Sequence, residues 1–197
     1  MSARLLIAAG IAVLVFAWAG PLPRLLPESM AAHMWLHMMV VGIGVPLVAA
    51  GWVARGRART MPTALAVAAS LIDLVVIWLW HSPVLHGASR SDVAVLALEQ
   101  ASFAGAALLV WLVALGGPRL AGALTLFFTS MHMTLLGALI ALAPRPLYAG
   151  HVHGGIGLDP LPDQQIGGVI MLAVGGVVYF GGAVWLAAQG LRPEQAR

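Results

Sequence analysis

The chain contains no cysteine and no lysine, and charged residues make up only 9% of its 197 positions. Without cysteine, disulfide bonds and thiolate chemistry are excluded, and any soft metal ligand has to be methionine or histidine. A soluble domain carries about 25% charged residues. With 61% hydrophobic residues and a mean hydropathy of +0.95, the sequence therefore predicts an integral membrane protein with one domain over residues 1–197.

All ten positive charges are arginines, and they lie in short stretches between apolar runs. A nucleic-acid-binding protein concentrates such charges in a basic arm or patch. The arginines are better explained as topology signals in a protein surrounded by membrane lipid. We therefore expect no nucleic-acid partner.

Six apolar segments are long enough to cross a bilayer, which takes about 20 residues each. They cover approximately residues 4–20, 31–54, 63–80, 93–115, 119–143 and 164–188. The predicted fold class is all-α, a polytopic bundle of six transmembrane helices. The first segment also has the length of a signal peptide, and Ala17-Trp18-Ala19 resembles a cleavage site. We favour a retained helix over a cleaved signal.

The distribution of arginine predicts the orientation of the bundle. If the N-terminus is cytoplasmic, seven arginines lie on the inner side and three on the outer side. Because cytoplasmic loops are enriched in positive charge, both termini are predicted to be cytoplasmic. The outer loops are then 21–30, 81–92 and 144–163.

Six of the seven histidines fall at the outer side of this predicted bundle, and none falls on the cytoplasmic side. They are His33, His37, His81, His86, His151 and His153. The seventh, His132, lies near the middle of the fifth span, where an ionisable group is costly without a partner and marks a functional candidate.

The second span opens with MAAHMWLHMM, which combines imidazole and thioether groups on one helical face. The residues that share this face are Met30, His33, Met34, His37 and Met38. His33 and His37 lie one turn apart, close enough to share a metal, and His81 lies at a similar depth on the next span. Histidine and methionine together suit Cu(I), whereas zinc usually recruits carboxylate or thiolate as well. The alternative is that the methionines simply pack the core.

Three acidic residues are candidates for supporting roles near such a site. Asp73 lies near the middle of the third span and Glu99 about two turns inside the fourth. Each is expected either to bind a neighbouring polar group and fasten the bundle, or to orient a ligand imidazole or balance the charge of a bound cation; Glu99 is the better candidate for the second role, because it shares the outer half with the histidines. Asp163 precedes the sixth span and is predicted to cap that helix.

Five sequence blocks, in order, resemble the CtaG family of bacterial membrane proteins. The blocks are HMWLHMMVVGIGVPLVAAGW, VIWLWHSPVLHGA, LEQASF, LLGALIALAPRPLY and LDPLPDQQIGGVIM, within residues 30–185. Polar positions that recur in the family match His33, His37, His81, Glu99 and Asp163. Two positions depart from it: Gln100 stands where the family commonly has histidine, and His86 lies near a position that is often aromatic.

The resemblance implies an assembly factor for caa3-type cytochrome c oxidase in the bacterial plasma (inner) membrane, not an enzyme. It implies a supply of copper to the oxidase, with oxidase subunits and a periplasmic copper donor as partners. Copper is expected to enter from the outer face past His151 and His153 and to bind among His33, His37 and His81. Alternatives are a b-type cytochrome, with His37 and His132 as haem ligands, and a structural accessory subunit.

Overall fold

The computed structural model of the protein describes residues 2–56, 61–148 and 157–191, and these ranges contain helices but no β-strand. The predicted all-α class is therefore confirmed. The helices are α1 (Ala3–Ala19), α2 (Met30–Ala54), α3 (Thr63–Trp80), α4 (Pro83–Ser91), α5 (Val93–Gly116), α6 (Arg119–Ala141) and α7 (Pro160–Gly190), with a short helical turn, Leu22–Leu25, after α1.

Six of these helices are long and apolar enough to cross a membrane, as predicted. The largest shift at a boundary is in α7, which begins at Pro160, four residues before the predicted start. Proline fits the first turn of a helix because its missing N–H has no intrahelical acceptor there. Residues 160–163, which lie before the predicted span, therefore form the first turn of the helix itself.

The predicted outer loop 81–92 lies between two spans, as expected, but it contains the short helix α4. Ser82 stands at its N-cap and Pro83 at its first position, a sequence that starts a helix. His86 and Ser89, one turn apart, are buried, whereas Val84 is exposed. Hydropathy did not predict this helix, because its nine residues are too few and too polar to form a membrane span.

Glycines bring the helices into close contact at two interfaces. A Cβ atom built on Gly10 of α1 would lie 2.6 Å from the carbonyl oxygen of Gly44 on α2. A Cβ on Gly137 of α6 would lie 2.8 Å from the carbonyl oxygen of Gly168 on α7. Small residues permit such backbone approach between membrane helices.

A π-helical turn, Val40–Gly44, interrupts α2 in its middle. Such turns displace the regular hydrogen-bond ladder. The carbonyl of Val41 accepts hydrogen bonds from the Trp111 indole N–H (3.3 Å) and the Tyr179 hydroxyl (2.9 Å). These two bonds tie α2 to α5 and α7, and so fix the rotation of α2 about its axis.

Candidate metal centre

The site lies where α2 and α7 begin and α3 ends, which we call the histidine end of the bundle. Ser29 caps α2, because its hydroxyl accepts a hydrogen bond from the Ala32 N–H (3.1 Å). The Asp163 carboxylate accepts bonds from the Ser29 hydroxyl (2.8 Å) and the Met30 N–H (2.6 Å). The prediction that Asp163 caps its own helix is wrong: it caps α2, because the free N–H groups of α2 lie beside the first turn of α7.

Gln164, which is not among the residues predicted from the sequence, joins the same end of the bundle to α6. Its amide oxygen accepts a bond from the Leu147 N–H (2.6 Å), and its amide nitrogen donates to the Ile140 carbonyl (3.3 Å). The adjacent Tyr148 donates its hydroxyl to the His81 carbonyl (3.0 Å). The Asp163-Gln164 pair thus fixes the start of α2 and the segment after α6 around the histidines.

Four imidazoles from three helices meet at the histidine end. His37 and His81 have ring centroids 5.5 Å apart, and His33 and His86 have centroids 4.9 Å apart, both in edge-to-face contact. All four residues are at most 8% exposed. The structure thus places His81 beside His37, and α4 brings His86 beside His33. We call these four residues the imidazole cluster.

Of the four histidines in the imidazole cluster, only His86 is not predicted as a metal ligand from the sequence. It lies five residues after His81, a spacing that would put the two on different faces of one continuous helix. The sequence feature that indicates a different arrangement is Pro83, because it separates the end of α3 from the start of α4 between His81 and His86. The change in chain direction returns His86 to the cluster, where its ring lies 4.7 Å from that of Tyr148.

Several nitrogen atoms of the cluster have no hydrogen-bond partner among the described residues. They are His33 Nε2, both ring nitrogens of His37, and His81 Nε2. His81 Nδ1 lies 2.6 Å from the Ile77 carbonyl oxygen, a contact that requires Nδ1 to carry the proton and leaves the lone pair on Nε2. Burial lowers the pKa of the His81 imidazole to about 4, although the bond to Ile77 opposes the shift. Neutral imidazoles with buried lone pairs are suited to binding a metal.

Glu99 supplies a negative charge beside the cluster. Ligand atoms of His33, His86 and Glu99 all lie within 4.8 Å of one another, a grouping that could hold a metal ion. The carboxylate of Glu99 is fully buried and accepts hydrogen bonds from Arg90 (2.7 Å) and Ser89 (2.9 Å). Arg90 also lies 3.2 Å from His33 Nδ1.

A cleft of about 290 Å³ leads to the cluster between α1, α2 and α5. His33, His37 and Arg90 line it. At its edge, the Trp18 indole donates to the Gln100 amide oxygen (3.0 Å), and the Gln100 amide donates to Glu99 (3.2 Å). Gln100 therefore links α1 to the carboxylate.

The methionines of α2 contact a different neighbour from the histidines. A Cβ on Gly167 would lie 3.2 Å from Met34 Cγ, and one on Gly175 would lie 4.0 Å from Met38 Sδ. Met34 and Met38 therefore pack on the glycine face of α7, whereas the rings of His33 and His37 contact α4, α5 and the end of α3. Metal binding by the two methionines stays a prediction.

His132 and Asp73 form a separate polar pair between α6 and α3. His132 Nε2 lies 3.2 Å from Asp73 Oδ2, within ion-pair distance, although the approach angle is outside hydrogen-bond limits. Both residues are buried. Asp73 lies eight residues before His81, which follows the last residue of α3, and this separation corresponds to about 12 Å of helix. The pair is therefore distant from the imidazole cluster. This contact agrees with one of the roles expected for Asp73, namely that it binds a neighbouring polar group and fastens the bundle.

His151 and His153 lie outside the described residues.

Fold and site together define a multi-pass membrane protein with a buried group of imidazoles and one carboxylate at one end of its bundle. The family described as cytochrome c oxidase caa3 assembly factor (Caa3_CtaG) matches residues 2–193. The chain therefore belongs to this family of oxidase assembly factors. No curated protein and no solved structure matches the chain significantly.

Proposed function

We propose that this assembly factor handles copper, as Cu(I), for cytochrome c oxidase. The observation that carries the proposal is the imidazole cluster, in which buried ring nitrogens of three histidines have no partner among the described residues. A buried polar atom without a partner costs about 1–3 kcal/mol, so an arrangement with several of them is best explained by a ligand. Membership of the oxidase assembly family indicates which protein uses the metal.

The donor set is compatible with copper, and membership of the oxidase assembly family is the reason to prefer copper over zinc. The described cluster offers imidazole nitrogens and one carboxylate, and the chain contains no thiolate. Imidazole suits copper and zinc, and thioethers such as those of Met34 and Met38 suit Cu(I) in particular. His33, His37, His81 and His86 would hold the ion, and Glu99 would balance its charge.

The site is proposed to face the outside of the plasma membrane. Under the positive-inside orientation, the histidine end of the bundle is the outer end. Copper from a periplasmic donor would then reach the cluster through the cleft beside α1 and pass to the copper-binding subunit of the oxidase. His151 and His153, in the predicted outer loop 144–163, would be the first histidines that copper meets, and His132 would be a deeper stop.

The arrangement gives no support to the haem alternative. Axial histidines must face each other across a porphyrin at similar depth. His37 instead contacts His81 and Phe103, whereas His132 contacts Asp73 and Phe128. A Soret band with a reducible α band in the purified protein would overturn this interpretation.

The direct test is anaerobic titration of the detergent-purified protein with Cu(I) against a coloured chelator, with metal content measured by mass spectrometry. We expect one Cu(I) per chain in the wild type and none at stoichiometric levels in His37→Ala. Met38→Leu, which keeps the packing volume, should only weaken binding. X-ray absorption should show predominantly nitrogen ligands. Equal copper retention in the wild type and in His33→Ala/His37→Ala would refute the site.

In cells, deletion of the gene should lower oxidase activity under copper limitation and leave oxidase transcripts unchanged. Added copper should partly restore activity. Complementation with wild-type protein should restore it fully, and His37→Ala, expressed at the same level, should not. Full oxidase activity in the copper-limited deletion strain would exclude the role.

A further inference from the structure

Arg90 occupies the position beside Glu99 that a bound cation would need. One guanidinium nitrogen lies 2.7 Å from Glu99 Oε2 and the other lies 3.2 Å from His33 Nδ1. The arginine thus contacts two of the three residues that form the candidate metal group. Its positive charge already neutralises the only carboxylate of that group.

The two partners of this ion pair differ in their freedom to move. The Glu99 side chain is fully buried on the long helix α5, whereas the Arg90 side chain is 20% exposed and lines the cleft. Arg90 is also the second-last residue of the short helix α4. If a cation enters, the arginine is therefore the partner that can leave, and the cleft gives it a path.

Charge balance then determines which cations the site accepts. With Arg90 withdrawn, Glu99 neutralises a monovalent cation, whereas a divalent cation leaves one uncompensated positive charge in a buried site. Buried uncompensated charge is strongly unfavourable. If Arg90 stays, any cation meets a like charge only a few ångströms away.

We propose that Arg90 holds the place of the metal when no metal is bound, and that metal binding displaces Arg90 from Glu99 and His33. This exchange makes the site selective for a monovalent cation. The proposal rests on the proposed copper function. Arg90 is thus a selectivity-determining residue and not a ligand. Among physiological monovalent cations, Cu(I) is the one that imidazole nitrogen binds strongly, and Ag(I) is a stable probe for it.

The first test compares Cu(I) and Ag(I) affinities of Arg90→Gln, Glu99→Gln and wild type, with Arg24→Gln as an exposed control of equal charge change. Removal of the guanidinium group in Arg90→Gln should raise the affinity for Cu(I) and Ag(I) about ten- to hundredfold, since a hydrogen-bonded charge pair no longer has to be broken. Glu99→Gln should lower it, and Arg24→Gln should leave it unchanged. A purely structural ion pair would lower affinity in both site variants.

The second test uses wild-type protein, so it does not depend on the folding of a variant. Phenylglyoxal labelling of Arg90, measured by peptide mass spectrometry against Arg145 as reference, should accelerate when Ag(I) is added and stay unchanged with Zn²⁺. Unchanged labelling with bound Ag(I), or equal or weaker Cu(I) binding by folded Arg90→Gln, would overturn the displacement of Arg90. Failure of the wild type to bind either ion would instead overturn the proposed copper function.

Discussion

Replacement of His37 by leucine is expected to stabilise the metal-free protein and to abolish its copper binding. His37 is 2% exposed, and neither of its ring nitrogens has a hydrogen-bond partner among the described residues. Leucine has a similar volume, keeps the apolar contact with Phe103 and removes the cost of the unpaired polar atoms. The expected gain in the free energy of unfolding is about 1–3 kcal/mol.

The matched control is the same substitution at His132. His132 is also buried, but it lies 3.2 Å from the buried Asp73 carboxylate. Its removal leaves an uncompensated buried acid, which costs about 3–5 kcal/mol. The two His→Leu variants should therefore shift stability in opposite directions, although the chemical change is identical.

The assay is thermal unfolding of the detergent-purified variants, with copper removed by a chelator and then with Cu(I) added. For a chain of this length, each kcal/mol shifts the Tm by roughly 2–4 °C. Cu(I) should raise the Tm of the wild type but not that of His37→Leu, because a ligand stabilises only a state that binds it. Destabilisation of metal-free His37→Leu to the same extent as His132→Leu would show that His37 maintains the fold, and would refute the reasoning.

Three further predictions concern the bundle. A C-terminal alkaline phosphatase fusion should be inactive and a C-terminal green fluorescent protein fusion fluorescent, since the C-terminus is predicted to be cytoplasmic; the opposite pattern would invert the topology. Gly137→Ala should lower the Tm because its Cβ would lie 2.7 Å from the Leu172 nitrogen, whereas Gly105→Ala, with no atom within 4 Å, should be neutral or slightly stabilising. Asp163→Ala should destabilise the protein by about 1–2 kcal/mol through loss of the α2 cap, and a Tm equal to that of wild type would contradict that role.

Hydropathy alone predicted the six spans, because a bilayer requires each crossing segment to be apolar over about 20 residues and to satisfy its own backbone hydrogen bonds. Helical periodicity likewise placed His33 and His37 one turn apart on one helix. These features depend only on residues that are close in sequence. For the same reason they were predicted more accurately than any contact between helices.

The tertiary structure decided which groups meet. Asp163 caps α2 and not its own helix, His86 reaches His33 through α4, and Arg90 binds Glu99. Each of these contacts depends on how separate helices approach and rotate, which is set by the packing of surfaces distant in sequence. Local periodicity carries no information about that approach. The sequence therefore predicted the spans and three of the four histidines of the imidazole cluster, and helix packing determined the rest of the site.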